Sequence, residues 1–308
     1  MTARSSLVGD LDLDVTLDAP IGAMTWYGIG GRADMLVSPR SAEALELFIR
    51  RCQSEEMPVR VLGGGANLLV DDAGVDGVVI RLDHEHFRST AFNAVGDVTA
   101  ARVAAGVDLF RLVQDMSRRG LAGLEMMAGI PGTVGGAVRM NAGGSWGAFS
   151  DALDTITAVD FDGELRSWKA ADLYFQYRRS DLPPCIVTEV ILTLHEADPV
   201  EVRDKVKQIF QHKRASQPMA DHSAGCAFRN PEGTTQSAGR LIDETGLKGH
   251  SIGGAVVSDQ HANFIVAQPG ASSTDIRKLI DDVQARVAAV HGITLEPEVV
   301  IWQRGVRP

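Results

Sequence analysis

The segment from Gly129 to Gly144, GIPGTVGGAVRMNAGG, constrains this chain more than any other stretch. Glycine tolerates positive φ and lets the backbone approach a ligand closely. Pro131 removes a donor and fixes φ. Gly132, Gly135 and Gly136 leave a stretch with almost no side chains, which suits a large flat ring lying against bare backbone. An isoalloxazine fits that description better than a sugar does. Two further clusters precede it, Gly28-Ile29-Gly30-Gly31 and Gly63-Gly64-Gly65-Ala66-Asn67-Leu68. Glycine is abundant, 32 of 308 residues, against an average of about 7%, but its clustering matters more than its total. Successive backbone N–H groups in such loops form an anion nest suited to a diphosphate.

The second cluster lies between two strand-like runs, Val59–Leu62 and Asn67–Val70. A Rossmann fingerprint requires strand, GxGxxG and helix in that order. Neither the spacing nor the following helix is present, so an NAD-type Rossmann site is disfavoured. Each cluster taken alone also reads as a tight turn. Three in one half of the chain favour a dinucleotide cradled by loops of a non-Rossmann domain.

At 308 residues the chain is long enough for two or three domains. Four amphipathic helices follow the i, i+3, i+4, i+7 pattern. The first carries Leu45, Phe48, Ile49 and Cys52 behind Ser41 as N-cap. The second runs from about Asp108 to Arg119, buries Leu109, Leu112, Val113 and Met116, and stops at Gly120. The third carries Val202, Val206, Ile209 and Phe210. The fourth spans about Thr274 to Val290. Strand-like runs lie at Gly77–Leu82, Val98–Ala104, Thr155–Phe161, Ile186–His195, Asn263–Ala267 and Glu298–Trp302. The mixture lacks strict βαβα alternation, so the predicted class is α+β. The polar break His195–Pro199 marks the predicted main domain boundary.

The formal net charge of −10 argues against a general nucleic-acid binder. Cys52, Cys185 and Cys226 are dispersed and odd in number, giving neither a disulfide framework nor a metal site. No run approaches a membrane span, and the N-terminal segment lacks an apolar core and turns acidic at once. The expectation is a cytoplasmic protein with no metal, no nucleic-acid partner and no membrane insertion.

The motifs TWYGIGGRAD, VLGGGANLLV, GLEMMAGIPGTVGGAVRMNAG, FQYRRSDL, SAGCAFRNP, AGRLIDETGLKG, VSDQHANFIV and LEPEV occur in this order from about Met24 to Trp302. Together they resemble the UDP-N-acetylenolpyruvoylglucosamine reductase (MurB-type) family of peptidoglycan precursor synthesis. The resemblance implies a two-part, oxidase-type FAD-binding region over 1–197, with subdomains of about 1–84 and 85–197. An α+β substrate-binding domain over 198–308 would follow, its last strand returning to the first subdomain. It implies non-covalent FAD, NADPH as co-substrate, and a small-molecule UDP-sugar substrate. The reaction would be reduction of UDP-N-acetylglucosamine enolpyruvate to UDP-N-acetylmuramate. The short connection from Tyr177 to the third helix resembles the subclass without a substrate-covering tyrosine loop. The cofactor contacts expected are Gly63, Gly64, Gly65, Ala66, Asn67, Leu68, Gly129, Ile130, Pro131, Gly132, Thr133, Gly135, Gly136 and Asn141.

Hydride addition at C3 of an enolpyruvyl ether drives negative charge through C2 onto the carboxylate. Catalysis therefore needs a cation at that carboxylate and a proton donor near C2. Arg178 matches the family's catalytic arginine, and a planar guanidinium fork suits a carboxylate or enolate. Glu298 matches its catalytic glutamate, with Glu296 as the competing position. Cys226 stands where the family usually has a proton-donating serine. A thiol of pKa about 8.5 is a competent donor while protonated, and near cations would favour the non-donating thiolate. The other readings of Cys226 are a small buried hydrophobe and a nucleophile paired with His222 or His212. Substrate contacts are expected from Tyr177, Asn230 and Arg214, with Lys213 as the alternative to Arg214. His261 and Asn263 are expected to be structural.

Overall fold

The computed structural model describes residues 7–96 and 98–307; the first six residues of the N-terminal segment lie outside these. The chain forms two compact units. The first comprises Met1–Thr16, Met35–Gly64 and Gly77–Lys213, and the second Leu17–Asp34, Gly65–Asp76 and Arg214–Pro308.

The first unit is organised by an antiparallel sheet in the order Leu165–Lys169, Leu153–Asp160, Cys185–Glu196, Val98–Ala104, Thr90–Val95. Along its central strand the buried Val190, Leu192 and Leu194 alternate with half-buried residues, as one face of a pleated strand requires. The Leu109–Arg119 helix turns Leu109, Leu112, Val113 and Met116 into the core. It starts where the Asp108 carboxylate accepts from Arg111 N at 2.9 Å, and it ends at Gly120, φ 70°. The Ala42–Ser54 helix is capped by the Ser41 hydroxyl, which accepts from Ala44 N at 3.1 Å. Cys52 and Cys185 are buried free thiols of this unit, pushed up to about 12 and about 11 by burial, and are therefore poor nucleophiles.

The second unit contains an antiparallel sheet in the order Ser223–Cys226, Phe264–Ala267, Ala255–Val257, Ser251–Ile252. The Ser273–His291 helix, opened by a Ser272–Asp275 capping box, packs Ile276, Leu279, Ile280, Val283 and Val287 into its core. The last strand, Val300–Trp302, returns to pair in parallel with Leu68–Val70.

Two sequence expectations differ from the structure. The division falls at Lys213/Arg214 rather than near Asp198, because the Pro199–Ser216 helix buries Val202, Ile209 and Lys213 and adds Ile209 to the first unit's core. Two early segments also join the second unit, so neither unit is contiguous in sequence. The third glycine cluster, expected to be bare loop, contains the short helix Val134–Arg139. Gly135 is needed there for packing: a Cβ would stand 3.0 Å from the Ala105 Cβ.

Among the described residues no helix is long and apolar enough to cross a membrane, and no group of His, Cys, Asp and Glu side chains could hold a metal ion.

Candidate active site

In the first unit the second and third glycine clusters meet. A Cβ on Gly64 would lie 2.6 Å from Gly132 Cα, and one on Gly63 would lie 2.8 Å from Thr133 Oγ1. The Gly64 distance is shorter than a carbon side chain permits against main chain, so only glycine allows that backbone-to-backbone contact, whereas a Cβ on Gly63 would meet the Thr133 side chain. Gly132 itself sits at φ 123°, and a Cβ there would point into open space. Ile130 N donates to Met127 O at 3.0 Å, and the Thr133 hydroxyl accepts from Gly136 N at 3.4 Å to begin the short helix. The resulting surface is bare backbone with an open side, and its residues fit a dinucleotide of the FAD type. Gly65, Ala66, Asn67 and Leu68 belong to the second unit, where a Cβ on Gly65 would lie 2.6 Å from Met24 O. The first glycine cluster serves packing: Cβ atoms at Gly30 and Gly31 would stand 2.1 Å from Val70 O and 2.4 Å from Gly74 N.

Arg178 occupies the second corner of a two-residue turn between Phe175–Gln176 and Arg179–Ser180. Its φ of 58° is in the left-handed region, at a turn position that favours glycine or asparagine. A non-glycine residue held there marks stored strain of the kind concentrated at functional sites. Its guanidinium lies 5.1 Å from the centre of the exposed Tyr177 ring. Asn141, expected beside the cofactor, hydrogen-bonds through its side chain to main chain. Its Nδ2 donates to Gln176 O at 2.9 Å and its Oδ1 accepts from Ser150 N at 3.2 Å. Buried and left-handed itself at φ 38°, it anchors the turn that presents Arg178.

In the second unit, Cys226 and Glu298 come from opposite ends of the domain sequence and meet through backbone. Glu298 N donates to Ala227 O at 2.8 Å, Arg229 N donates to Glu296 O at 2.8 Å, and Phe228 bridges Pro297. Asn67 holds the same segment, donating from Nδ2 to Glu298 O at 3.0 Å while its own carbonyl accepts from Val300 N at 3.1 Å. Glu298 is 8% exposed, whereas the Glu296 side chain is 66% exposed and stands 3.8 Å from Arg229. Cys226 is half-buried at the end of its strand, after Gly225 at φ 77°. Asn263 stabilises the turn after Cys226: Oδ1 accepts from Phe228 N at 2.9 Å, Nδ2 donates to Phe228 O at 2.8 Å, and its carbonyl accepts from Ala227 N at 2.7 Å. His261, held below its ordinary value by burial, packs edge-on to Phe264 at 4.9 Å.

Of the expected substrate contacts, Asn230 is exposed and its Oδ1 accepts from Ala238 N at 3.0 Å, while Arg214 is exposed with its carbonyl accepting from Gln260 Nε2 at 3.3 Å. Lys213 is buried, with its Nζ donating to Met126 O at 3.2 Å and Ala128 O at 2.7 Å. Sequence periodicity could not reveal that role, because a lysine on an amphipathic helix ordinarily faces water.

Residues 33–168 match the FAD binding domain family, and residues 217–302 match the C-terminal domain of UDP-N-acetylenolpyruvoylglucosamine reductase. The reductase of that name from Desulfosudis oleivorans is 39% identical over 93% of this chain and 94% of its own length. That from Moorella thermoacetica is 36% identical over 98% of this chain and 99% of its own. The crystal structure of the Thermus caldophilus enzyme superposes with a TM-score of 0.80 at 39% identity, covering 94% of this chain and 99% of that one. The chain belongs to the UDP-N-acetylenolpyruvoylglucosamine reductase family.

Proposed function

We infer that this protein performs the reaction for which its family is named, the FAD- and NADPH-dependent reduction of UDP-N-acetylglucosamine enolpyruvate to UDP-N-acetylmuramate in peptidoglycan precursor synthesis. FAD, when bound, would supply the redox chemistry that links NADPH oxidation to reduction of the enolpyruvyl group. Gly63, Gly64 and the stretch Gly129–Thr133 would hold the cofactor against bare backbone, and Gly65–Leu68 are the further proposed contacts.

The chain's own residues then have three tasks. Arg178 offers two parallel N–H donors to the substrate carboxylate, onto which negative charge moves as C3 accepts hydride. Cys226 Sγ delivers a proton to C2. Glu298 carries the charge and hydrogen-bonding capacity that keep that donor and its surroundings in the productive protonation state. The observation that supports this assignment is the 2.8 Å bond from Glu298 N to Ala227 O, which ties the main chain of a buried glutamate to the residue that follows Cys226. Arg214, Asn230 and Tyr177 are the proposed contacts to the rest of the substrate.

The test is a visible absorption spectrum of the purified protein, followed by NADPH oxidation with and without UDP-N-acetylglucosamine enolpyruvate. A flavin spectrum and substrate-dependent NADPH oxidation are expected. A chain that neither retains nor takes up FAD would overturn the reading.

A further inference from the structure

Lysine is almost never fully buried without a partner that justifies it. Lys213, 8% exposed near the end of the Pro199–Ser216 helix, has one with a specific shape. In the turn from Leu124 to Ile130 the carbonyls of Leu124, Glu125 and Met127 accept from Met127 N, Ala128 N and Ile130 N, each at 3.0 Å. The intervening carbonyls, those of Met126 and Ala128, are the two that accept from Lys213 Nζ. The ammonium thus bonds two further carbonyls of a turn that runs directly into Gly129, at φ 75°, and the glycine surface beyond it.

Several charged and titratable groups lie on the same turn and helix. Glu125, on the same turn, is engaged with Lys205 at 3.2 Å and with Gly123 N at 2.7 Å. His212, on the same helix, packs edge-on to Trp146 at 6.0 Å. Besides burial, the guanidinium charge of Arg178 bears on Lys213.

We propose that Lys213 is a positioning residue of the flavin-binding loop: its ammonium fixes the Met126–Ala128 turn from which Gly129–Thr133 departs, and does so in the field of Arg178. This rests on the reading given under Proposed function. Burial, reinforced by the Arg178 charge, pushes Lys213 down to about 8 from an ordinary 10.5. The charged form, which holds the two carbonyls most strongly, is therefore lost just above neutrality.

Two consequences run in opposite directions. Between about pH 8 and 10.5 the unfolded chain keeps this proton and the folded chain has released it, so this group makes the fold more stable as pH rises. Over the same window the grip on the turn weakens, and FAD affinity falls.

The experiment titrates FAD into the flavin-stripped full-length chain by fluorescence quenching at pH 7 and pH 9.5, for wild type, Lys213→Met and Lys213→Arg. Lys213→Met is expected to weaken FAD binding at pH 7 by about tenfold, the scale of losing a hydrogen bond from a charged donor. Lys213→Arg keeps its charge throughout and is expected to bind within about threefold of wild type at pH 7, on that same scale, with no loss at pH 9.5. Equal FAD affinity for Lys213→Met and wild type at pH 7 would overturn the proposal. So would the same pH dependence for wild type and Lys213→Arg, a comparison that stands even where the methionine variant does not fold. A wild-type chain that never binds FAD would instead defeat the functional reading, so the two failures are distinguishable.

Discussion

Arg178 and Glu298 are held by the same device in different surroundings. In each case an asparagine from a glycine-rich segment turns its amide onto main chain at or near the proposed catalytic residue, Asn141 onto Gln176 and Asn67 onto Glu298. Arg178 nevertheless projects from a strained two-residue turn beside an exposed tyrosine. Glu298 is buried, and its peptide is secured on both sides. On the proposed reading, the arginine is placed to follow a charge that develops during reaction, and the glutamate is held in a fixed position. If this difference is functional, removing Arg178 should abolish turnover with the fold untouched, while disturbing the Glu298 segment should affect turnover and stability together.

The largest effect is expected at Arg178. Arg178→Ala should lower kcat by about a thousandfold, the upper range for loss of a donor to a developing oxyanion. FAD content and melting temperature should stay near wild type, because the side chain is outside either core. Arg178→Lys should recover only part of the rate, since a point charge does not reproduce a planar fork. Glu298→Gln should cost about a hundredfold in kcat by removing acid–base function. An Arg178→Ala protein that turns over normally would remove the catalytic half of the comparison.

Cys226 should come next. Cys226→Ala is expected to slow the reoxidation of reduced enzyme by substrate about a hundredfold, the usual scale for one proton donor, leaving reduction by NADPH unchanged. Cys226→Ser should retain activity and extend it to higher pH, because a hydroxyl does not ionise where a thiol begins to. Single-turnover kinetics of the two half-reactions across pH separates these outcomes. Unimpaired reoxidation in the alanine variant would return Cys226 to the status of a small half-buried side chain.

Much of the fold was legible because it rests on local signals. Ser41, Asp108 and Gly120 end their helices where capping chemistry puts them, and the apolar face of the Ser273–His291 helix follows its 3.6-residue period. What periodicity missed were elements of weak amphipathic pattern, such as the mostly exposed strand Leu13–Ala19 and the helix Val134–Arg139 hidden among glycines. The site divides in the same way. The roles expected of Arg178, Cys226 and Glu298 come from the motifs that carry the family resemblance, but their supports have no such motif. The family resemblance gives Asn67 and Asn141 as cofactor contacts and Lys213 as an alternative substrate contact; only tertiary placement shows all three hydrogen-bonded to main-chain carbonyls.

The supports themselves give the third contrast. Asn67→Ala should cost about 1–3 kcal/mol of stability, the range for leaving a partly buried acceptor unmet, and should lower kcat through Glu298. Asn141→Ala should cost a similar amount, because its amide is buried and serves both Gln176 O and Ser150 N. Its effect on turnover should resemble a weak Arg178 variant. Chemical denaturation and steady-state kinetics on both variants test whether each asparagine follows the residue it supports.

The smallest expected effect lies inside the third glycine cluster and separates packing from ligand contact. Gly136 is helical, and a Cβ there would stand 3.6 Å from Thr133 Oγ1, an ordinary contact. Gly136→Ala should therefore stabilise the protein by about 0.4–1 kcal/mol through the lower entropy of its unfolded chain. Gly64→Ala, whose Cβ would stand 2.6 Å from Gly132 Cα, must push the two loops apart and should reduce FAD binding. If Gly136→Ala loses FAD while gaining no stability, the cofactor surface continues past Thr133 onto the helix. If FAD binding is unchanged, that surface ends at Thr133, and Gly136 owes its place in the sequence to the helix alone.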